Sequence, residues 1–236
     1  MLLKEKLIEK LSKYNLSNNN ELCDQLVKFN DLMLEYNKTH NITSITNEDD
    51  IIIKHFIDSL LPINIFKENS KIIDLGCGGG FPSIPLKILN KNLNITAVDS
   101  VQKKTNFVKL VSNELNFDNF NVIHTRIEDL ATNKEYREQF DMVISRALAP
   151  MPTIIEYSAP FLKNGGKIIS YKGSNYKEEI ELSKNALKQL NCTIEEIKEY
   201  NIDELNTSRY VIIIKKHKTI PNKYPRKQNK PRLNPL

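Results

Sequence analysis

A short apolar strand over residues 72–75 runs directly into Gly76-Cys77-Gly78-Gly79-Gly80-Phe81, and a helix-like segment starts near Pro82. Few folds accommodate this order, because a strand, a glycine turn and a helix form the first unit of an open α/β sheet and mark where such a sheet holds its ligand. The glycines supply backbone with positive φ, so a tight turn without a ligand is the plain alternative. Further short strands are expected over 95–99, 122–125, 142–145 and 167–171, with helices starting near Pro82, near Lys103, after Asp129 and near Pro152. That alternation predicts a parallel sheet covered on both faces. Residues 194–200 and 209–215 are joined by a turn-like stretch with no crossover helix and fit an antiparallel hairpin at one edge. The expected fold is α/β, a seven-stranded, mostly parallel, Rossmann-like sheet.

Before residue 67 the pattern is helical. Leu3, Leu7, Ile8 and Leu11, then Leu22, Leu26, Phe29, Met33 and Tyr36, recur at helical spacing around an Asn-rich break, and a further helical run ends at Pro62. We therefore expect a helical cap over 1–66, the sheet domain over 67–218 and a separate tail over 219–236. With 40% hydrophobic and 27% charged residues, the chain has an ordinary globular composition. No apolar run approaches the roughly 20 residues of a membrane span, and charge arrives too early at the N-terminus for a signal core. A cytoplasmic monomer is the expectation. Cys23, Cys77 and Cys192 are too far apart to suggest a disulfide framework or a metal site, and no metal is expected.

The ligand of the glycine turn can be narrowed. A dinucleotide fingerprint would place glycine where Phe81 stands, Pro82 and Pro85 remove amide donors from the first helical turn, and no Gly-Lys-Ser/Thr closes the loop. These features disfavour phosphate and leave a nucleoside, of which S-adenosylmethionine is the common case. Asp99, followed by Ser100, ends the second strand 23 residues after Gly76, close to where an acid accepts ribose hydroxyls. A solvated helix cap is the other reading of Asp99. After the third strand, Ile127-Glu128 offers an apolar side chain and backbone amides where adenine would lie.

The fourth strand enters Ser145-Arg146-Ala147-Leu148-Ala149-Pro150, which lacks both an Asn/Asp-Pro-Pro-aromatic sequence and a nucleophilic cysteine. An acceptor with a free lone pair fits better, because methyl transfer to it needs positioning and no general base. Guanine N7 is such an atom, and guanine's O6/N7 edge suits the guanidinium of Arg146, although a structural ion pair is open for that residue. In the cap, Asn41, Thr43, His55, Asp58 and Ser59 lie close in sequence to the expected cleft, and Lys172 ends the fifth strand. From Lys215 onward there are eight Lys or Arg and no Asp or Glu, so the net +5 is +8 here and −3 elsewhere. Lys223, Arg226 and Lys227 suit an extended arm along RNA phosphates, and a disordered tail is the alternative. On the arm reading, deletion beyond Lys218 weakens RNA binding and its salt dependence and leaves cofactor affinity alone.

Together these segments resemble the RsmG family, also called GidB, bacterial methyltransferases that modify guanine N7 in 16S ribosomal RNA. The resemblance rests on Asn41-Ile42-Thr43, the run from Lys54 to Ser59, Gly80-Phe81-Pro82 with Pro85, Asp99-Ser100, Arg126-Ile127-Glu128, Ser145-Arg146-Ala147, Lys172-Gly173, Arg209 and the tail. It implies a class I methyltransferase fold, with cofactor contacts from Gly76, Gly78, Phe81, Asp99, Ser100, Ile127, Glu128 and Arg146. It also implies RNA contacts from the cap residues, Lys172, Arg209 and the tail cations. The implied partner is 16S ribosomal RNA or a small-subunit particle. Two departures stand out: Lys103-Lys104, where many members have Lys-Arg, and Gln228-Asn229, where many have glycine. A methyltransferase for a small molecule or protein, and a non-catalytic RNA-binding assembly factor, are the alternatives.

Overall fold

The computed structural model describes residues 3–236. Seven strands form one sheet: β1 (Lys71–Leu75), β2 (Asn94–Asp99), β3 (Phe120–His124), β4 (Phe140–Arg146), β5 (Leu162–Lys172), β6 (Cys192–Ile202) and β7 (Thr207–Lys216). Their order is β3-β2-β1-β4-β5-β7-β6. The five strands from β1 to β5 pair in parallel, and β7 runs antiparallel between β5 and β6. The edge hairpin expected from the sequence is present. Strand order reverses between β1 and β4, which opens a crevice at their carboxyl ends.

Alternation along each strand sorts the core into two layers. Ile72, Ala97, Ile144 and Ile169 face one cluster, which continues into Leu7, Phe29 and Phe56 of the cap. Ile73, Val98, Val143 and Ile168 face the other, which includes Ile154 and Tyr224. The cap comprises α1 (Leu3–Lys13), α2 (Asn20–His40), α3 (Glu48–Ile51), a π-helical turn over Ile52–Ile57 and α4 (Asp58–Leu60). The Asn19 side chain caps α2 by accepting from the Leu22 amide at 2.9 Å, and Asn41 ends it in the left-handed region. The helices on the sheet are α5 (Ser83–Leu89), α6 (Gln102–Glu114), α7 (Ile127–Leu130), α8 (Met151–Ser158), α9 (Tyr176–Leu182) and α10 (Lys184–Gln189). A last turn, α11, spans Lys230–Leu233.

Two expectations need correction. The crossover after β3 is only the single turn α7, because Asn133 closes the chain on itself there, its side chain accepting from the Glu135 amide and its carbonyl from that of Tyr136. The segment from residue 219 is also not an extended arm. Ile220 and Tyr224 are buried in the second layer, and Arg137 donates to the carbonyls of Ile220, Pro221 and Tyr224. Among the described residues, no helix is long and apolar enough to cross a membrane, and no cluster of His, Cys, Asp or Glu could hold a metal ion.

Candidate functional site

The glycine turn is fixed by its own backbone. Gly76 and Cys77 both donate to the Val98 carbonyl, at 2.9 and 3.0 Å, and Gly76 has φ +74°. A Cβ at Gly76 would lie 2.6 Å from Leu148 Cδ1, and one at Gly79 would lie 2.9 Å from Ile42 Cγ2, so the turn accommodates neighbours on two sides. The Gly78 amide donates to Asp99 Oδ2 and the Val101 amide to Asp99 Oδ1, each at 2.9 Å. Asp99 therefore ties the turn to the end of β2 and keeps lone pairs for a further donor. Asp74, at the foot of the turn, is fully buried, and neither carboxylate oxygen has a hydrogen-bond partner. Burial pushes its pKa up to about 7; the nearby Ser83 hydroxyl and amide oppose the rise without forming a hydrogen bond of ordinary geometry. Cys77 is buried and its thiol is pushed well above the usual range, so it is no nucleophile.

Two cavities of about 410 Å³ each open at the strand ends. The first is lined by Gly76, Asp99, Ser100, Ile127 and Glu128. The second is lined by Asp58, Arg146, Tyr171, Lys172, Glu179 and Arg209. Ala147 and Leu148 line both and so form the partition between them. Ala147 has φ +54°, a backbone conformation an alanine adopts only when its surroundings impose it.

Arg146 joins the sheet to the cap. Its Nη1 donates to the Lys54 carbonyl at 3.0 Å and to Asp58 Oδ2 at 2.8 Å, and its Nη2 lies 3.2 Å from His55 Nδ1. The guanidinium also sits 5.2 Å above the Phe81 ring, on which His55 stacks at 4.2 Å. Arg146 carries only donors, so His55 Nδ1 must accept, and the ring proton on Nε2 points to Thr43 Oγ1 at 3.0 Å. Burial and then the Arg146 charge hold the His55 pKa down at about 4, so the ring is neutral. The π-helical turn presents the Lys54 carbonyl to Arg146, consistent with the frequent use of such turns at functional sites.

The structure thus brings Thr43, His55, Asp58, Phe81, Arg146 and Arg209 together. Arg209 Nε donates to Asp58 Oδ1 at 3.1 Å, and Lys172 pairs with Glu179 at 2.6 Å. Gly78 and Phe81 support the turn without lining either cavity. Ser59 is buried, with its hydroxyl on the His55 carbonyl, and Asn41 is an exposed helix end. Arg226 is spent internally: its guanidinium and backbone amide both bind the buried Glu156 carboxylate. Lys223 and Lys227 remain exposed.

Several residues at the candidate site carry no local sequence signal. Asn37 organises Asn41-Ile42-Thr43, accepting from the Ile42 and Thr43 amides and donating to the Thr43 carbonyl. Lys104, Tyr157, Asn229 and Arg232 also line the first cavity. Glu156 does carry a signal, because it is the only charged residue of α8.

The model for the family described as GidB, rRNA small subunit methyltransferase G, matches residues 22–212. A ribosomal RNA small subunit methyltransferase G from Acetivibrio thermocellus is 40% identical over 235 residues, covering 99% of this chain and 97% of its own. One of the same name from Thermoanaerobacter is 44% identical over 211 residues, covering 89% and 88%. Among solved structures, M. jannaschii TYW2 in complex with AdoMet overlays with a TM-score of 0.52 at 17% identity over 66% of this chain and 72% of that one. The YcgJ protein of Bacillus subtilis gives 0.53 at 11% identity over 70% and 100%. The fold is therefore that of class I methyltransferases, and the chain belongs to the GidB family of small-subunit ribosomal RNA methyltransferases.

Proposed function

We propose that this enzyme transfers the methyl group of S-adenosylmethionine to N7 of one guanine in 16S ribosomal RNA, in the cytoplasm, on the RNA or a small-subunit particle. The observation that carries this reading is that the acceptor cavity holds no free base. Asp58 is paired with Arg146 and Arg209, and Glu179 with Lys172. His55, behind Arg146, accepts on one nitrogen and donates from the other. A site with every acid and imidazole engaged suits an acceptor that needs no deprotonation, and N7 has its lone pair available.

The first cavity fits the cofactor. Gly76 and Asp99 line it, Asp99 keeps acceptor capacity for ribose hydroxyls, and the orphaned Asp74 carboxyl, buried beneath the turn, favours a cationic group there. When bound, S-adenosylmethionine supplies an electrophilic methyl on a sulfonium. The chain's own contribution is to hold acceptor and donor on either side of the Ala147-Leu148 partition. Arg146, fixed by three acceptors, is suited to hold the base through guanine O6, which leaves the N7 lone pair free to attack the methyl. Thr43, His55 and Phe81 hold Arg146 in turn.

Ribosomal RNA from cells lacking the protein is expected to lack one N7-methylguanosine, so that borohydride and aniline no longer cleave at that site. Cleavage identical to the parent's would remove the assignment. Replacing exposed Lys223 and Lys227 with alanine is expected to lower the slope of log K against log salt for RNA by about 1 to 2, which filter binding across a salt series measures. An unchanged slope would take those lysines out of the RNA interface.

A further inference from the structure

We propose that the C-terminal segment is a wall of the cofactor cavity, and that Asn229 and Arg232 position the cofactor; the inference rests on the S-adenosylmethionine reading of that cavity. A run of cations without acids reads as a free arm, yet this one is fastened to α8 at two points. On one side, Glu156, whose side chain is wholly buried, takes the Arg226 amide at 2.8 Å, Nε at 2.9 Å and Nη2 at 2.7 Å, a two-pronged charge-assisted clamp. On the other, the Thr153 hydroxyl donates to the Pro231 carbonyl at 2.7 Å. Asn229 lies between these anchors and Arg232 just past the second, so both reach the cavity from a fixed backbone.

What they meet there is specific. Both residues line the cavity that contains Gly76 and Asp99. The Tyr157 hydroxyl sits between Glu128 Oε1 and Asn229 Oδ1, at 3.3 and 3.5 Å, which places Asn229 at the end of the cavity assigned to the adenine. Arg232 Nη2 donates to the Leu148 carbonyl at 3.1 Å. Leu148 is the side chain that packs on Gly76 and divides this cavity from the acceptor side. Arg232 thus acts at once as lining and as the bond that holds the partition against the glycine turn. The deletion that charge alone predicts to be neutral for the cofactor becomes, on this geometry, the removal of one side of its pocket.

The test is calorimetric titration of S-adenosylmethionine and S-adenosylhomocysteine into full-length protein, without RNA. Arg232→Ala is expected to weaken both about tenfold while the ligand-free melting temperature falls by no more than about 4 °C, since Arg232 is exposed and, among the described residues, makes no ion pair. Arg232→Lys, which can still donate to the Leu148 carbonyl, is expected to recover part of that loss. Asn229→Ala is expected to weaken binding less. Truncation after Lys218 is expected to weaken binding at least as much as Arg232→Ala, and the point variants decide the matter should the truncated chain fail to fold. Parent-level affinity in both Arg232→Ala and Asn229→Ala would overturn the inference while the cofactor reading stands. No binding by the parent protein would overturn both.

Discussion

Replacing Arg146 with alanine is expected to lower methyl transfer a hundredfold or more and to cost about 3 kcal/mol of folding stability. Its guanidinium satisfies the Lys54 carbonyl, Asp58 and His55 together, and the Arg146 and Asp58 side chains are only 14% and 12% exposed. Removing one partner of a buried pair leaves the other charge without compensation, at a cost of roughly 3 to 5 kcal/mol for full burial and somewhat less here. Asp58 keeps Arg209, which moderates the loss, whereas His55 Nδ1 keeps nothing. Arg146→Lys restores the charge but not a planar fork able to serve three acceptors, so it is expected to recover stability in part and turnover little. Chemical denaturation with single-turnover methylation of ribosomal RNA measures both effects. Wild-type turnover in Arg146→Ala would reduce this residue to a structural tie.

The two effects also separate. If the stability loss arises from the cap coming away from the sheet, then His55→Ala should share part of it, because His55 links Arg146 to Thr43 and Phe81. The burial of Asp74 at the adjacent strand end gives Arg146 a further consequence: its charge favours the ionised form of that acid.

What could be read in the sequence depended on how far apart the cooperating residues stand. The glycine turn, Asp99 and Arg146 were legible because each ends a strand, and parallel topology places all such ends along one crevice. The hairpin was legible because no helix could fit between its strands. By contrast, the pairing of Arg146 with Asp58 spans 88 residues and that of Arg226 with Glu156 spans 70, and no local pattern encodes either. The tail differs from its sequence expectation for a related reason. A basic run resembles a solvated arm unless its acid is known, and that acid is the single carboxylate of a helix 70 residues away. The π-helical turn has no sequence signal because Ile52 to Ile57 suits ordinary helix equally well, and only the Lys54 carbonyl it presents gives it a purpose. α9 and α10 were also not anticipated, yet Glu179 of α9 neutralises the expected RNA contact Lys172.

Asp74→Asn is expected to change the pH dependence of folding and, with it, of cofactor affinity. The Asp74 carboxyl has a pKa of about 7 when folded against an ordinary value of 3.8, raised mainly by burial. Because the folded form holds the proton more tightly, no penalty exists below the ordinary value. Above it the unfolded chain ionises first, and the penalty grows until the folded carboxyl titrates near pH 7. At 1.36 kcal/mol per unit the full penalty is roughly 4 kcal/mol, of which about 3 accrues between pH 5 and pH 8. Asparagine cannot ionise, so the stability of the variant relative to the parent should rise by about that amount over the interval, in the absence of ligand. The cofactor reading adds the converse. A cationic ligand at the foot of the glycine turn favours the ionised carboxyl, so parent affinity should rise with pH through 7 as proton release becomes free, and the variant should bind weakly at all pH values. Urea denaturation and calorimetry at pH 5, 6, 7 and 8 follow both quantities. Parallel stability curves for the two proteins would show that Asp74 ionises in the folded state as it does in the unfolded chain. Parallel affinity curves over a divergent stability pair would leave Asp74 a strained structural acid, with the cation held elsewhere in the cavity.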